Sequence, residues 1–95
     1  MKPLKLKFYS DAGHGWLAVK RDLLIKLGLI NKISHFSYER GKTIYLEEDC
    51  DAALFVETAK AAGYELNMVS GAWAERSPIR SYNSFNRDVY SFHNN

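Results

Sequence analysis

The chain has 95 residues, is 46% hydrophobic and 25% charged, and carries a net charge of +2; this is the balance of one globular domain with a single modest core. No window approaches the run of about 18 apolar residues that a membrane span needs, and the basic, alternating start MKPLKLKFYS lacks the apolar stretch of a secretory signal, so it reads as mature protein. The single cysteine, Cys50, excludes an internal disulfide and suits a reducing, cytoplasmic setting.

LKLKFY alternates strictly, with Leu4, Leu6 and Phe8 against Lys5, Lys7 and Tyr9, which predicts a half-buried strand. The segment SDAGHG follows as punctuation. Gly13 and Gly15 are expected to supply positive φ in a tight connection, Asp11 to bond nearby backbone N–H groups in an Asx turn, and His14 to sit exposed at the tip. WLAV then reads as a second strand. Arg21–Leu27 predicts a short helix, with Asp22 in its first turn, Leu23, Leu24 and Leu27 as its apolar stripe, and Gly28 as a left-handed stop.

ISHFSYERGKTIYLEE predicts a β-hairpin over 33–39 and 42–47, with Arg40-Gly41 as its two-residue loop. That register opposes Glu39 and Lys42, Tyr38 and Thr43, Phe36 and Tyr45, and His35 and Leu46. It puts Ile33, a partly buried His35, Ser37, Ile44 and Leu46 on one face, and Phe36, Tyr38 and Tyr45 on the other. The clearest helix lies near 50–62, with Asp49 as N-cap, Asp51 complementing the dipole and Gly63 as the stop. Phe55, Ala59 and Ala62 share its inner face, flanked by Ala52 and Val56. YELNMV is a further strand. The order β-β-α-β-β-α-β predicts a small single α+β domain, a mainly antiparallel sheet with two helices packed on one face.

Residues 1–76 are expected to form the compact domain, and 77–95 an aromatic- and Arg-rich C-terminal segment packing on the domain or on a partner. Ser77-Pro78 has the form of a helix start. Ile79, Tyr82, Phe85, Val89 and Phe92 then recur at steps of three or four, as on one helix face, although the many Ser and Asn residues disfavour an isolated helix. The first seventy residues supply enough strands and helices to enclose a core. Loss of the tail is therefore expected to impair binding more than the sheet.

The strings DAGHGWLAV, ISHFSYERGKTIYLEEDCDAALF and SPIRSY together resemble small proteins of unassigned function encoded largely by bacteriophages, which share a GHGWL turn and a YLEEDCD segment. The likeness covers roughly residues 8–82. It implies a viral accessory protein made in the cytoplasm of a host bacterium, and it carries neither an activity nor catalytic residues.

The residues themselves leave three function classes open. Charge is distributed in blocks: residues 1–46 hold nine Lys/Arg and three Asp/Glu, whereas residues 47–66 hold one Lys and six acids. Such blocks are either ordinary solvated faces or a polarised surface that steers a charged partner. Glu47, Glu48, Asp49 and Asp51 could hold a hard cation, but they coincide with a helix start, where capping and the dipole account for two of them. Cys50 lies at that helix start, which lowers a thiol pKa, but the neighbouring anions oppose a thiolate. His14, His35 and His93 match no zinc-ligand spacing.

No catalytic residues, metal ligands or cofactor are therefore assigned. The leading expectation is a non-enzymatic phage accessory protein that binds and modulates a bacterial host protein, such as a component of a host defence system. His14, Trp16, Arg76, Arg80, Tyr82, Phe85 and Arg87 are the expected partner-binding residues, as aromatics and arginines at loops and tail. The alternatives are a nucleic-acid-binding accessory protein using the basic half and the Arg/aromatic tail, and a small metal-dependent enzyme centred on the acidic cluster. A homo-oligomer is also compatible with the sequence.

Overall fold

In the computed structural model, which describes residues 2–94 and the side chains of 2–90, strands β1 (Lys2–Ser10) and β2 (Gly15–Lys20) lead directly into helix α1 (Arg21–Lys26). Strands β3 (Tyr38–Arg40) and β4 (Thr43–Glu47), helix α2 (Asp51–Ala61) and strand β5 (Tyr64–Ser70) follow. The tail then forms a 3-10 turn at Pro78–Ser81, strand β6 (Asn83–Ser84) and a second 3-10 segment at Arg87–Asn94. The six strands form one sheet in the order β5-β1-β2-β4-β3-β6. The domain is α+β, as its sequence pattern predicts. The sheet is mixed, because β1 pairs with β5 in parallel while its other pairings are antiparallel.

Alternation sorts the sheet into two faces. Leu6, Leu17, Val19, Ile44 and Leu46 join Leu24 of α1 and Ala52, Phe55 and Ala59 of α2 in one buried cluster, so both helices cover the same face. Gly28 and Gly63 stop the two helices with φ of +73° and +91°, a region closed to most side chains. Ala62, expected on the inner face of α2, is exposed, because the helix ends one residue before it.

The hairpin differs from the expected one in two ways. Tyr38 opposes Tyr45 and Arg40 opposes Thr43, so Gly41-Lys42 is the loop. The register is displaced by two residues, which preserves the faces: Ile44 still points to the helices and Tyr38 and Tyr45 still share the other side. The strand expected from Ile33 begins only at Tyr38. Upstream, Asp51 Oδ2 accepts hydrogen bonds from Ser34 N at 3.0 Å, Ser34 Oγ at 2.7 Å and Ser37 Oγ at 2.6 Å. Those side-chain bonds fold Ser34–Ser37 into a turn against the start of α2 and compete with strand pairing. His35 consequently projects from the turn and is exposed rather than partly buried.

The helix start is also made differently. Asp49 does not cap α2. Instead Glu47, at the end of β4, accepts from the backbone N–H groups of Asp49, Cys50 and Asp51 at 2.9, 2.6 and 2.8 Å. A glutamate four residues back can reach these N–H groups because the chain reverses between strand and helix.

The tail is part of the domain. Ser77 caps the 3-10 turn by accepting from Ile79 N at 3.2 Å, as Ser-Pro predicts. A continuous helix does not follow. Instead Asn83 and Ser84 extend the sheet beside β3, and Phe85 N donates to Ser37 O at 2.8 Å. Ile79 and Phe85 are 2% and 1% exposed, and Phe85 joins the main core. The side chains of Phe92 and His93 lie outside the described residues. The radius of gyration of 12.9 Å matches the about 13 Å of a folded hundred-residue domain, so the tail does not extend away from the sheet.

Phe55 is fully buried between α2 and the sheet. Phe55→Ala is expected to cost about 3–5 kcal/mol in urea denaturation. Truncation before Ser77 is expected to abolish a cooperative transition by circular dichroism, since it removes Ile79 and Phe85 from the core; a truncated chain that unfolds with the midpoint of the full chain would show that the tail contributes nothing to the core.

Candidate functional site

The loop between β1 and β2 is closed by Asp11 N donating to His14 O at 2.9 Å. The Asp11 carboxylate is saturated. Oδ1 accepts from Gly13 N and His14 N, each at 2.9 Å, in the Asx geometry predicted for the loop. From the tail, Ser77 N donates to Oδ2 at 2.9 Å, and Arg80 forms a two-pronged pair through Nε to Oδ2 at 2.6 Å and Nη2 to Oδ1 at 2.9 Å. The Arg80 guanidinium, then the Ser77 N–H, hold this carboxyl well below the usual carboxylate range. Arg80 is raised in turn by the same partner. Bidentate charge-assisted bonds of this kind fix geometry as well as charge.

Gly13 and Gly15 are not at positive φ, contrary to the sequence expectation; the positive-φ glycines among the described residues are Gly28, Gly41 and Gly63. Space explains them instead. A Cβ at Gly15 would lie 2.5 Å from Phe8 Cζ and 2.8 Å from Glu48 Oε2, and one at Gly13 would lie 3.0 Å from Arg80 Nη2. The glycines let the loop close onto Phe8 and let the arginine reach Asp11.

Arg80 also lies over the Trp16 ring at 5.7 Å. Trp16 has His14 on one side, with ring centroids 6.1 Å apart, and meets Tyr38 edge-on at 6.3 Å. Trp16 is only 2% exposed and forms the floor of a cleft of about 520 Å³ between the opening loop, the Ser34–Ser37 turn and the start of α2. Phe36 stands at its mouth, 67% exposed, with the His35 ring 4.3 Å away. Glu48, Asp49 and Cys50 complete the rim, all exposed.

The four carboxylates of LEEDCD are therefore divided. Glu47 and Asp51 are bound to backbone and serine donors, while Glu48 and Asp49 face solvent at the cleft. Burial alone would raise Glu47, but the N–H groups of Asp51, Cys50 and Asp49 more than offset it, and its pKa is lowered. Among the described residues, no group of three or more His, Cys, Asp or Glu side chains is placed to hold a metal ion. No helix among them is long and apolar enough to cross a membrane.

The structure gathers His14, Trp16 and Arg80, from the expected partner-binding set, around one cleft. It separates the others. Phe85 cannot meet a partner because it is inside the core. Tyr82 is half-buried, 5.2 Å from the Tyr45 ring and 5.0 Å from the Arg40 guanidinium. Arg76 and Arg87 are exposed away from the cleft lining, with Arg87 lining a depression shared with His35 and Phe85. Phe36, the most exposed aromatic of the cleft, lies outside the expected set because alternation assigns it to a strand face beside Tyr38 and Tyr45.

No protein-family profile, curated protein or solved structure matches this chain.

Two outcomes follow for the opening loop. Because the folded Asp11 carboxyl titrates below its unfolded value of about 4, its contribution is complete above that pH and is lost as pH falls through the folded value. Asp11→Asn is expected to flatten the fall in urea midpoint between about pH 5 and about pH 2 relative to wild type; an unchanged slope would remove Asp11 as its source. His14→Ala is expected to leave the thermal midpoint near that of wild type, since its backbone rather than its exposed ring serves Asp11, whereas Gly15→Val should lower it markedly through collision with Phe8.

Proposed function

We propose that this protein is a non-enzymatic binding protein whose cleft receives a segment of another protein. The observation that carries this reading is Phe36, an aromatic ring 67% exposed at the mouth of a cleft floored by Trp16. An exposed aromatic beside a concavity supports a hot spot for a partner's apolar anchor. The unpaired rim acids Glu48 and Asp49 favour a segment that carries a basic residue next to that anchor. Asp11, Glu47 and Asp51 are occupied by structural donors, which supports binding rather than acid–base chemistry.

The resemblance of GHGWL and YLEEDCD to phage-encoded proteins supports a more specific form of the same reading. In it the protein is a bacteriophage accessory factor acting in the host cytoplasm, and the partner is a bacterial protein that it modulates, with a defence component as the natural class.

The test is affinity capture from bacterial lysate with the full chain, identification of stoichiometric partners by mass spectrometry, and reconstitution from purified components. Phe36→Asp is expected to abolish the reconstituted complex while leaving the thermal midpoint near wild type, because the ring is mostly in solvent. A complex insensitive to Phe36→Asp, or no stoichiometric protein at all, would overturn the reading.

A further inference from the structure

The sheet face turned away from the helices has a different character from the cleft. Alternation and register bring Lys5, Lys7 and Tyr9 of β1 onto it with Trp16, Ala18 and Lys20 of β2, Thr43 and Tyr45 of β4, and Tyr38 and Arg40 of β3. Lys5, Lys7, Lys20 and Arg40 are exposed. Tyr9 meets Tyr45 edge-on at 6.0 Å, and Tyr45 meets Tyr82 at 5.2 Å, so three tyrosines cross the sheet as a connected row. Among the described residues, the chain after β5 covers part of this face: Gly71 sits against the Tyr9 ring, Arg80 lies over Trp16 and Tyr82 meets Tyr45.

The rest of the face opens into a groove. Pairing between β1 and β2 runs only from Lys7–Ala18 to Ser10–Gly15, and the earlier half of β1 pairs with β5 alone. The strands diverge there, leaving a hollow of about 690 Å³ whose lining includes Lys5, Lys7, Tyr9, Lys20 and Tyr45. Carboxylates are few on this side. Glu47 is bound to the N–H groups at the start of α2, Glu65 stands on the outermost strand β5, and Asp22 borders one end of the hollow. Glu57 lies on α2, and the exposed acids Glu48 and Asp49 stand at the cleft rather than along the hollow. Four exposed cations of β1, β2 and β3 thus share one face, which the modest net charge conceals.

A row of cations beside a row of aromatic rings on an open sheet is chemically suited to an extended polyanion with flat bases. We propose that this face binds single-stranded nucleic acid, with phosphates along Lys5, Lys7 and Lys20 and bases stacked against Tyr9 and Tyr45. An acidic protein would meet the same lysines but would make no use of the tyrosine row. The rigid cylinder of a duplex would reach the lysines but could not turn its bases onto the rings. The hollow and the cleft share no lining residue, so the two readings stand or fall independently.

The test is fluorescence anisotropy of the full chain with labelled oligothymidylate and oligouridylate about fifteen nucleotides long, a span of the order used by small single-strand binders. Log affinity is expected to fall linearly with log salt, by about 0.7 for each phosphate neutralised. The double variant Lys7→Glu/Lys20→Glu should weaken binding by tenfold or more, since both side chains are exposed and the fold does not depend on them. Tyr45→Leu, with its fold checked by circular dichroism, should weaken it by about tenfold through lost stacking. Phe36→Asp should leave oligonucleotide affinity unchanged. The proposal is overturned by absence of binding to either oligonucleotide at low salt, by equal affinity for a duplex of the same length, by indifference to the lysine reversals, or by polyglutamate competing as well as unlabelled oligonucleotide.

Discussion

The carboxylate of Asp11 is the point on which the rest of the arrangement turns. One side chain organises the loop that follows it, through Gly13 and His14, and holds a segment sixty-six or more residues later, through Ser77 and Arg80. Arg80 stays over Trp16 because of it, and the chain beyond Arg80 starts from a fixed point on its way to the β3 edge. Phe85 can then enter the core from the far side of the sheet. A buried carboxylate that lost its arginine would be left with a desolvation cost and too few donors, so the pair ties the two ends of the domain into one cooperative unit.

Two further acids work by the same physics on a smaller scale. Glu47 gathers three N–H groups at the start of α2, and Asp51 gathers three donors from Ser34 and Ser37. Ser37 Oγ in turn accepts from Glu47 N at 3.0 Å, which links the two. Each acid satisfies backbone or hydroxyl groups in a stretch with no regular pairing, where buried donors would otherwise be costly. The acidic run that resembles a metal-binding cluster in sequence is thus largely a device for joining a strand, a helix and a turn.

This use of acids in the framework shapes the surface left for partners. What remains free is Glu48, Asp49 and the Phe36 ring around the cleft, and the lysines and tyrosines beside the hollow on the face turned away from the helices. The two surfaces differ in charge sign and in form, one concave and acidic at its rim, the other open and basic. The two proposed partners differ in chemistry accordingly, and the segment that borders both surfaces is held at Asp11 through Arg80 and in the core through Phe85.

Period and composition alone determined the class of fold, the inner faces of β1, β2 and β4, the burial of Phe55 and Ala59 on α2, and the helix stops at Gly28 and Gly63, because these depend on short-range sterics and on alternation that a single stretch already contains. The Asx loop at Asp11 and the Ser77 cap were legible for the same reason, since their donors lie within three residues. Only the tertiary structure decided that Ser34–Ser37 turn instead of pairing, that Glu47 rather than Asp49 meets the start of α2, and that Gly13 and Gly15 answer to Phe8 and Arg80 rather than to φ. It also decided that Phe85 is core and Phe36 is surface. Apart from Glu47, which reaches its N–H groups because the chain reverses before α2, the controlling partner is brought in by the fold, from as far as Arg80 is from Asp11. Periodicity within a stretch says which residues share a face; it does not say which distant donor, ring or carboxylate the fold will bring against that face.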